Sequence, residues 1–388
     1  MKRFYLDENA TTRLDPGVAS VMAALGEGIL GNASSLHGEG RRARGEIDAA
    51  RDTVAAWLGA KPSEIIFTGG GTESCNLAIM GVARAHRSRG RHLITAATEH
   101  HAVLHAFQAL EKQEGFAVTY LPVDRDGLID PADLENAIRP ETILVSIMSA
   151  NNETGVRQSM RELGAICARR GVLFHTDAVQ SAGKEALDLA GWNVAALSVA
   201  AHKFHGPLGA GVLYLKAGLP VVPLMEGGAH ENERRPGTEN TVAIAGLAEA
   251  VRRHGTVDAK EMRRQARWIE NFWSRLEKLG DVRRNGHATG RLANTLNVTF
   301  HGLHPEELLI ALDLAGLAVS SGSACLVGSV QPSHVLAAMG LASDDGATVR
   351  FSIGSQIADE DLDEIAARVG RIVTHQRALR GGLAEVPA

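Results

Sequence analysis

The sequence lacks the features that mark membrane-spanning and exported proteins. No apolar stretch of about 18 residues occurs anywhere in its 388 residues. The N-terminal residues MKRFYLDENATT also lack the apolar core of a signal peptide. We therefore expect a cytoplasmic protein that does not associate with a membrane.

The sequence is also poor in cysteine and carries no excess of basic charge. Cys75, Cys167 and Cys325 are odd in number, lie far apart and lack the spacing of metal ligands, so neither a disulfide framework nor a zinc site is expected. The formal net charge of -5 excludes the global basic field that binds nucleic acid. Each cysteine must be considered as a free thiol, and no nucleic-acid partner is expected.

The composition of the sequence is typical of a globular protein. Hydrophobic residues make up 45% and charged residues 22%, which excludes disorder for most of the chain. Because domains usually have about 100 to 200 residues, the chain length predicts two domains.

Seven β-prone runs between residues 64 and 215 alternate with helical stretches. The runs are EIIFT (64–68), HLITAA (92–97), VTYLPV (118–123), ILVSIMS (143–149), VLFHTD (172–177), ALSVAA (196–201) and GVLYL (211–215). Helix-length segments with apolar residues every three or four positions separate several of them. The pattern predicts an α/β domain with a mostly parallel sheet. Such sheets bind ligands at the carboxyl ends of their strands.

The character of the sequence changes after residue 254. An Arg-rich helical segment leads to another β-prone run, NTLNVTF (294–300), followed by helix, strand and helix. We read this part as a smaller α+β domain. The large domain is predicted at 16–254, and the small domain at 1–15 and 255–388.

A glycine-rich turn follows the first predicted strand. Gly69 to Gly71 let the backbone approach an anion closely, Thr72 adds a hydroxyl, and the next helix supplies free N–H groups. The turn is not a Walker loop, and Ser74 stands where a dinucleotide fingerprint requires its last glycine. A tight turn and a phosphate site both remain open for this stretch.

Polar side chains follow four of the later strands: His100, Asn152, Asp177 with Gln180, and Lys203. Each has an ordinary alternative, since an aspartate often caps a helix and a loop lysine is usually solvated. Taken together with the glycine-rich turn, they match the needs of pyridoxal 5'-phosphate (PLP). Its aldehyde reacts with a lysine amine, its ring nitrogen pairs with a carboxylate, and its ring can lie against a histidine.

The histidines His100, His101 and His105 raise the question of a metal site. No carboxylate completes a persuasive ligand set with them. We therefore expect no metal.

Motifs over nearly the whole chain resemble the cysteine desulfurases, both nitrogenase-associated and housekeeping, within the class V aminotransferase branch of fold-type I PLP enzymes. The motifs are YLDENATTRLDP, NASSLHGEGRRAR, FTGGGTES, TEHHAV, SANNETG, HTDAVQS, AAHKFHGPLGAG, RRPGTEN, NTLNV, SSGSAC, QPSHVL and VRFSIG. The resemblance implies an α/β fold-type I PLP-dependent transferase with a seven-stranded, mostly parallel sheet. It also implies an enzyme that removes sulfur from L-cysteine, giving L-alanine and a persulfide on Cys325.

The resemblance further implies roles for individual residues. Lys203, Cys325 and His100 would be catalytic: Lys203 holds the cofactor covalently, Cys325 accepts sulfur, and His100 lies on the ring and assists proton transfer. The implied cofactor-binding residues are Gly71, Thr72, Glu73, His100, Asn152, Asp177, Gln180, His202, Lys203 and Thr238. The implied substrate-binding residues are Asn9, Asn152 and Arg350, with Arg350 as a carboxylate clamp. Thr238 would come from a second subunit, which implies a homodimer with shared active sites.

The segment SSGSACLVGSVQPS (320–333) is rich in glycine and serine and predicts a loop on which Cys325 can travel. Such a cysteine would collect sulfur at the cofactor and pass it to an acceptor protein such as an iron–sulfur scaffold. Cys75 and Cys167 stand on helical stretches and are expected to be inert. Leu326 and Val327 replace the Thr or Ser that relatives commonly carry after this cysteine.

Three other functions fit the same residues: a selenocysteine lyase, a class V transaminase, and a sulfur-assembly scaffold that has lost its chemistry. Cys325 discriminates between the enzymes, because a transaminase has no need of it and desulfuration should stop in Cys325→Ser. Lys203 argues against the inactive scaffold.

Two further positions depart from the family pattern. Cys75 replaces an acidic residue often seen in relatives after Thr-Glu-Ser, and Ala200 replaces a serine whose hydroxyl commonly reaches the phosphate. The second departure predicts one fewer phosphate hydrogen bond. Ala200→Ser should therefore release cofactor about fivefold more slowly, the effect of about 1 kcal/mol. Equal release rates from the two proteins would contradict this.

Overall fold

The computed structural model describes residues 2–29, 31–321, 333–342 and 346–384, so the predicted loop with Cys325 lies outside the described residues. The strands are β1 (Phe4–Tyr5), β2 (Ile65–Thr68), β3 (His92–Ala96), β4 (Ala117–Leu121), β5 (Thr142–Ser146), β6 (Leu173–Asp177), β7 (Ala196–Ala200), β8 (Gly211–Leu215), β9 (Val282–Asn285), β10 (Thr295–His301), β11 (Leu317–Ala318) and β12 (Gly346–Ser352). The helices are α1 (Pro16–Gly28), α2 (Gly38–Leu58), α3 (Gly71–Asn76), α4 (Val82–His86), α5 (His101–Glu114), α6 (Pro131–Ala137), α7 (Met160–Arg170), α8 (His230–Glu233), α9 (Thr241–His254), α10 (Ala259–Leu276), α11 (Pro305–Leu314), α12 (His334–Ala338) and α13 (Asp361–Ala384). A π-helical segment, Leu77–Gly81, joins α3 to α4. In the part of the chain covered by these ranges, no helix has the length and apolarity needed to cross a membrane.

The central sheet has seven strands in the spatial order β2-β8-β7-β6-β5-β3-β4. Of these, β8 runs antiparallel to both of its neighbours, and the other six run in one direction. The reversal of β8 follows from the short segment 201–210, because a parallel crossover needs about a dozen residues or more. The predicted mostly parallel, seven-stranded sheet is confirmed.

Helices cover both faces of this sheet. Val212 and Tyr214 of β8 belong to a cluster with buried residues of α1, α2, α7 and α9, whereas Leu213 and Leu215 belong to a cluster with buried residues of the π-helical segment and α4. The alternation arises because successive strand side chains point to opposite faces. Strands that are buried on both faces therefore read as continuous apolar runs in the sequence.

A second packed unit contains the three-stranded antiparallel sheet β12-β10-β9. Phe4, near the N-terminus, is buried in the same cluster as Phe272 of α10 and Phe351 of β12. The rings of Phe272 and Phe351 meet edge to face with centroids 5.1 Å apart, and β1 pairs in parallel with β11. The first residues of the chain thus pack with its last third, while the domain boundaries drawn from the sequence stay a prediction.

Gly164 of α7 marks a close approach between a helix and a neighbouring loop. A Cβ added there would lie 1.7 Å from the carbonyl oxygen of Trp192. Gly164→Ala should therefore destabilise the fold by about 1–3 kcal/mol, the usual cost of overpacking. Gly45 of α2 is the matched control, because its added Cβ would meet nothing within 4 Å and alanine favours a helix. Thermal unfolding should show a lower midpoint in Gly164→Ala alone, and equal midpoints would contradict the prediction.

Candidate active site

A cavity of about 320 Å³ lies at the carboxyl ends of the parallel strands. Because these strands share one direction, residues far apart in the sequence meet at one edge of the sheet. Predicted site residues that line the cavity are Asn9, Gly71, Thr72, His100, Asn152, Asp177, Gln180, His202, Lys203 and Arg350. The structure therefore places most of the predicted site residues around one cavity.

Three predicted site residues are not among those lining this cavity. The carboxylate of Glu73 accepts a hydrogen bond from the Gly69 N–H at 2.7 Å and pairs with Arg235 at 2.7 Å. It thus fixes the glycine-rich turn and links it to the loop of Thr238, which is exposed. Cys325 lies outside the described residues.

The glycine-rich turn packs its backbone closely against the site. Gly70 has φ +150°, a conformation that favours glycine. A Cβ added at Gly71 would lie 2.7 Å from a methyl carbon of Val179. Gly71 and Thr72 begin the helix that continues to His86. The first N–H groups of this helix can therefore bind an anion in the cavity.

Lys203 ends a 3₁₀ turn, Ala201–Lys203, which directly follows the buried strand β7. Its Nζ donates hydrogen bonds to the carbonyl oxygens of Asn9 at 2.6 Å and Ala10 at 2.8 Å. The ammonium thus joins the edge of the central sheet to the N-terminal segment.

Two imidazoles in the cavity are kept neutral by burial. Burial, followed by the charge of Lys203, lowers the pKa of His202 to about 4, and its Nδ1 lies 3.1 Å from the Thr11 hydroxyl. Burial also lowers the pKa of His100, whose Nδ1 accepts a hydrogen bond from the Ala102 N–H at 3.1 Å. Because Nδ1 accepts, the neutral ring of His100 carries its proton on Nε2. His100 can therefore donate a hydrogen bond from Nε2 to a ligand in the cavity.

Three other histidines of this region pack against one another. The ring centroid of His101 lies 4.9 Å from that of His105 and 4.6 Å from that of His334. Within the residues that the structure covers, no group of three or more His, Cys, Asp or Glu side chains is placed to hold a metal ion.

Asp177 ends β6, is 6% exposed, and accepts a hydrogen bond from the Val179 N–H at 2.9 Å. Cys75 is fully buried, and burial, followed by the charge of Asp177, raises the pKa of its thiol. An acidic residue at position 75 would add a second charge to this buried region, whereas a neutral thiol does not. Cys167 is buried as well, which raises its pKa to about 12. Neither thiol forms a reactive thiolate near neutral pH.

Arg350 of β12 brings a charge from the second packed unit into the cavity. Its Nη2 pairs with Asp7 at 2.8 Å, and its Nη1 donates to the carbonyl oxygen of Asn152 at 2.9 Å. Its buried Nε has no hydrogen-bond partner among the described residues. Because Arg350 lines the cavity, its guanidinium is placed to bind a carboxylate ligand. The sequence reasoning missed Asp7, although it stands in the motif YLDENATT, because its partner is 343 residues away.

Asn9 contributes to the site chiefly through its main chain. Its side-chain Nδ2 donates to the hydroxyl of Thr295 at 2.9 Å. Its carbonyl oxygen accepts from Lys203 and, at 3.0 Å, from Nε2 of Gln180. A direct substrate contact by the Asn9 side chain stays a prediction.

Comparison with known proteins assigns this arrangement to a family. The family model described as aminotransferase class-V matches residues 4–365. The chain is a member of the class-V aminotransferase family. It is 44% identical over 382 residues to the cysteine desulfurase IscS of Dictyoglomus turgidum, which covers 98% of this chain and 97% of that protein. The cysteine desulfurase IscS of Methanosarcina thermophila is also 44% identical over 382 residues, covering 97% and 93% of the two chains.

Solved structures agree with this assignment. A NifS-like protein superposes with a TM-score of 0.88 at 35% identity, over 96% of this chain and 100% of that chain. A structure of SspA in complex with cysteine gives a TM-score of 0.80 at 37% identity, over 91% and 99% of the two chains. The resemblance drawn from the motifs is confirmed, and with it the fold-type I architecture.

His175 lies on β6, two residues before Asp177, and its ring is fully buried. Its Nδ1 lies 2.8 Å from the hydroxyl of Ser146 and its Nε2 lies 3.0 Å from that of Ser198. Burial lowers the pKa of His175 to about 3. Between about pH 3 and 6.5 the unfolded chain thus binds a proton that the folded protein does not, so His175 should make stability fall as the pH falls through this range.

We predict that His175→Gln flattens the pH dependence of stability. Between about pH 4 and 6, the slope should decrease by about 1.4 kcal/mol per pH unit, the contribution of one proton. Urea unfolding at a series of pH values checks this, with the exposed His304 changed to Gln as the control. A slope equal to that of the unchanged protein would contradict the prediction.

Proposed function

We propose that this protein is a PLP-dependent cysteine desulfurase, a sulfurtransferase that converts L-cysteine to L-alanine and places the sulfur on Cys325 as a persulfide. One observation carries the proposal: Lys203, Asp177, His100 and Arg350 line the same cavity. An amine, a carboxylate, an imidazole and a guanidinium are the groups that an aldehyde cofactor and an amino-acid substrate require. Relatives named cysteine desulfurase IscS match nearly the whole chain.

The residues present fit PLP. The close packing of Gly71 against Val179 leaves no room for a Cβ, which suits a backbone that cradles a phosphate together with Thr72 and His202. The buried carboxylate of Asp177 would pair with the ring nitrogen. When bound, PLP supplies an electron sink for the α-carbon of the amino acid, because its ring nitrogen is protonated.

The remaining cavity residues would orient the cofactor and the substrate. Gln180 and Asn152 would contact the ring oxygen or the substrate, and His100 would lie against the ring. Lys203 would bind the aldehyde covalently, and the amino group of the incoming substrate would displace it. Arg350 would hold the substrate carboxylate, because its guanidinium lines the cavity.

Sulfur transfer needs a thiolate that can reach the substrate. Cys325 would attack the substrate sulfur, so that an S–S bond forms while the C–S bond breaks. The electron pair of the broken bond stays with the substrate carbon, which is then protonated to give alanine. Cys75 and Cys167 are poor candidates for this role, since both are buried and burial raises the pKa of each.

A homodimer with shared active sites belongs to the same proposal. It follows from the resemblance of the motif RRPGTEN to the family, in which a second subunit completes the site. Thr238 of the partner subunit would then bind the cofactor phosphate. In the cytoplasm, the persulfide would pass to a sulfur-acceptor protein such as an iron–sulfur scaffold.

The experiment that tests the proposal supplies L-cysteine to the PLP-loaded protein. We expect one added sulfur on Cys325 by mass spectrometry and an equal amount of released alanine. Cys325→Ser should abolish both, and Cys167→Ser, which alters a buried thiol, should keep both. Bound cofactor with neither product would contradict the proposal. Turnover that survives Cys325→Ser and requires a keto acid would instead identify a transaminase.

A further inference from the structure

Lys184 is a half-buried lysine next to Gln180, a residue that lines the cavity. Its Nζ donates hydrogen bonds to the backbone oxygen of Gln180 at 3.2 Å and to the side-chain Oε1 of Gln180 at 3.3 Å. Both bonds go to one residue, four positions earlier in the chain. Lys184 therefore acts mainly on Gln180, which lines the cavity.

These contacts determine which way the amide of Gln180 points. A lysine ammonium can only donate hydrogen bonds, so the amide atom facing it must be the oxygen. The NH₂ group then faces Asn9, and its Nε2 donates to the Asn9 carbonyl oxygen at 3.0 Å. One hydrogen of the NH₂ group serves this bond, and the other is left for a ligand.

We propose that Lys184 is a positioning residue: by holding the side-chain oxygen of Gln180, it makes Gln180 a hydrogen-bond donor toward the bound cofactor. This inference rests on the proposed function, in which Gln180 contacts the ring oxygen of PLP. That oxygen accepts hydrogen bonds, so a flipped amide would present it with a second acceptor and lose the bond.

Charges of both signs surround Lys184. Lys203 and Arg350 face it with positive charge, and Glu8 and Glu185 face it with negative charge. Burial, followed by the charge of Lys203, lowers the pKa of Lys184 to about 7. A neutral amine can accept a hydrogen bond as well as donate one. Lys184 thus holds the amide more strictly below about pH 7 than above it.

Lys184 also lines a second cavity, of about 410 Å³, together with Lys203 and Glu8. Because Lys184 and Lys203 line the same cavity, an effect of Lys184 on the cofactor has an alternative explanation. In it, the charge of Lys184 acts directly on the amine of Lys203. The two explanations differ in one respect. Positioning requires the Gln180 side chain, whereas a direct charge effect does not.

A double-mutant cycle on the PLP-loaded protein separates them. The readouts are the dissociation constant of the cofactor and the pH midpoint of its visible absorption band. Lys184→Met should weaken cofactor binding about fivefold, the loss of one neutral hydrogen bond, and should move the midpoint. Lys184→Arg keeps the donors and the charge and should restore both values. In a Gln180→Leu background, Lys184→Met should change neither value further.

Several outcomes would overturn the inference. One is an equal effect of Lys184→Met in both backgrounds, and another is no effect of Lys184→Met at all. Lys184→Gln provides a second test if Lys184→Met does not fold. Its amide can accept as well as donate, so it should hold Gln180 only in part and weaken cofactor binding by less than about fivefold, with no effect in the Gln180→Leu background. An equal effect of Lys184→Gln in both backgrounds would refute positioning.

The control is Lys216→Met at an exposed lysine, which should leave both readouts unchanged. Failure of the proposed function gives a different result from failure of this inference. If the unchanged protein forms no visible band with PLP, the proposed function fails and the role of Lys184 falls with it. If the band forms and responds to none of the Lys184 variants, only this inference fails.

Discussion

The hydrogen bonds from the Lys203 ammonium to the carbonyl oxygens of Asn9 and Ala10 connect the two packed units of this chain at the point where chemistry would occur. The segment that holds these carbonyls also carries Asp7, which pairs with Arg350. The amine at the end of β7 and the guanidinium of β12 are therefore held in one frame. A displacement of the N-terminal segment would change the position of both groups.

Burial sets the protonation states around this frame. It lowers the pKa of His100 and His202 and raises the pKa of Glu99, whose Oε1 accepts a hydrogen bond from the Met148 N–H at 2.7 Å. All three groups are shifted toward their neutral forms. Charge in the cavity is thus left to few groups, and in a medium of low polarity each acts more strongly than it would in water.

The sequence predicted this fold well because each relevant signal was local. Strands buried on both faces read as apolar runs, and parallel strands end at one edge, so the sequence pattern alone predicts that His100, Asp177 and Lys203 lie together. Contacts across the chain left no such signal. Two ion pairs, Asp7 with Arg350 and Glu73 with Arg235, depend on which distant segments of the chain meet in the fold. Lys184 and Gln180 are close in sequence, but their contact could not be predicted, because it depends on which way the side-chain amide of Gln180 points.

Two of the acceptors for Lys203 are main-chain atoms, and this has an evolutionary consequence. Every amino acid has a carbonyl oxygen, so natural selection for these two bonds places no demand on the side-chain identity at positions 9 and 10. Drift at those positions would leave the anchoring of the amine intact as long as the backbone keeps its path. A contact to the main chain can thus persist among homologues without appearing as a conserved column in their alignment.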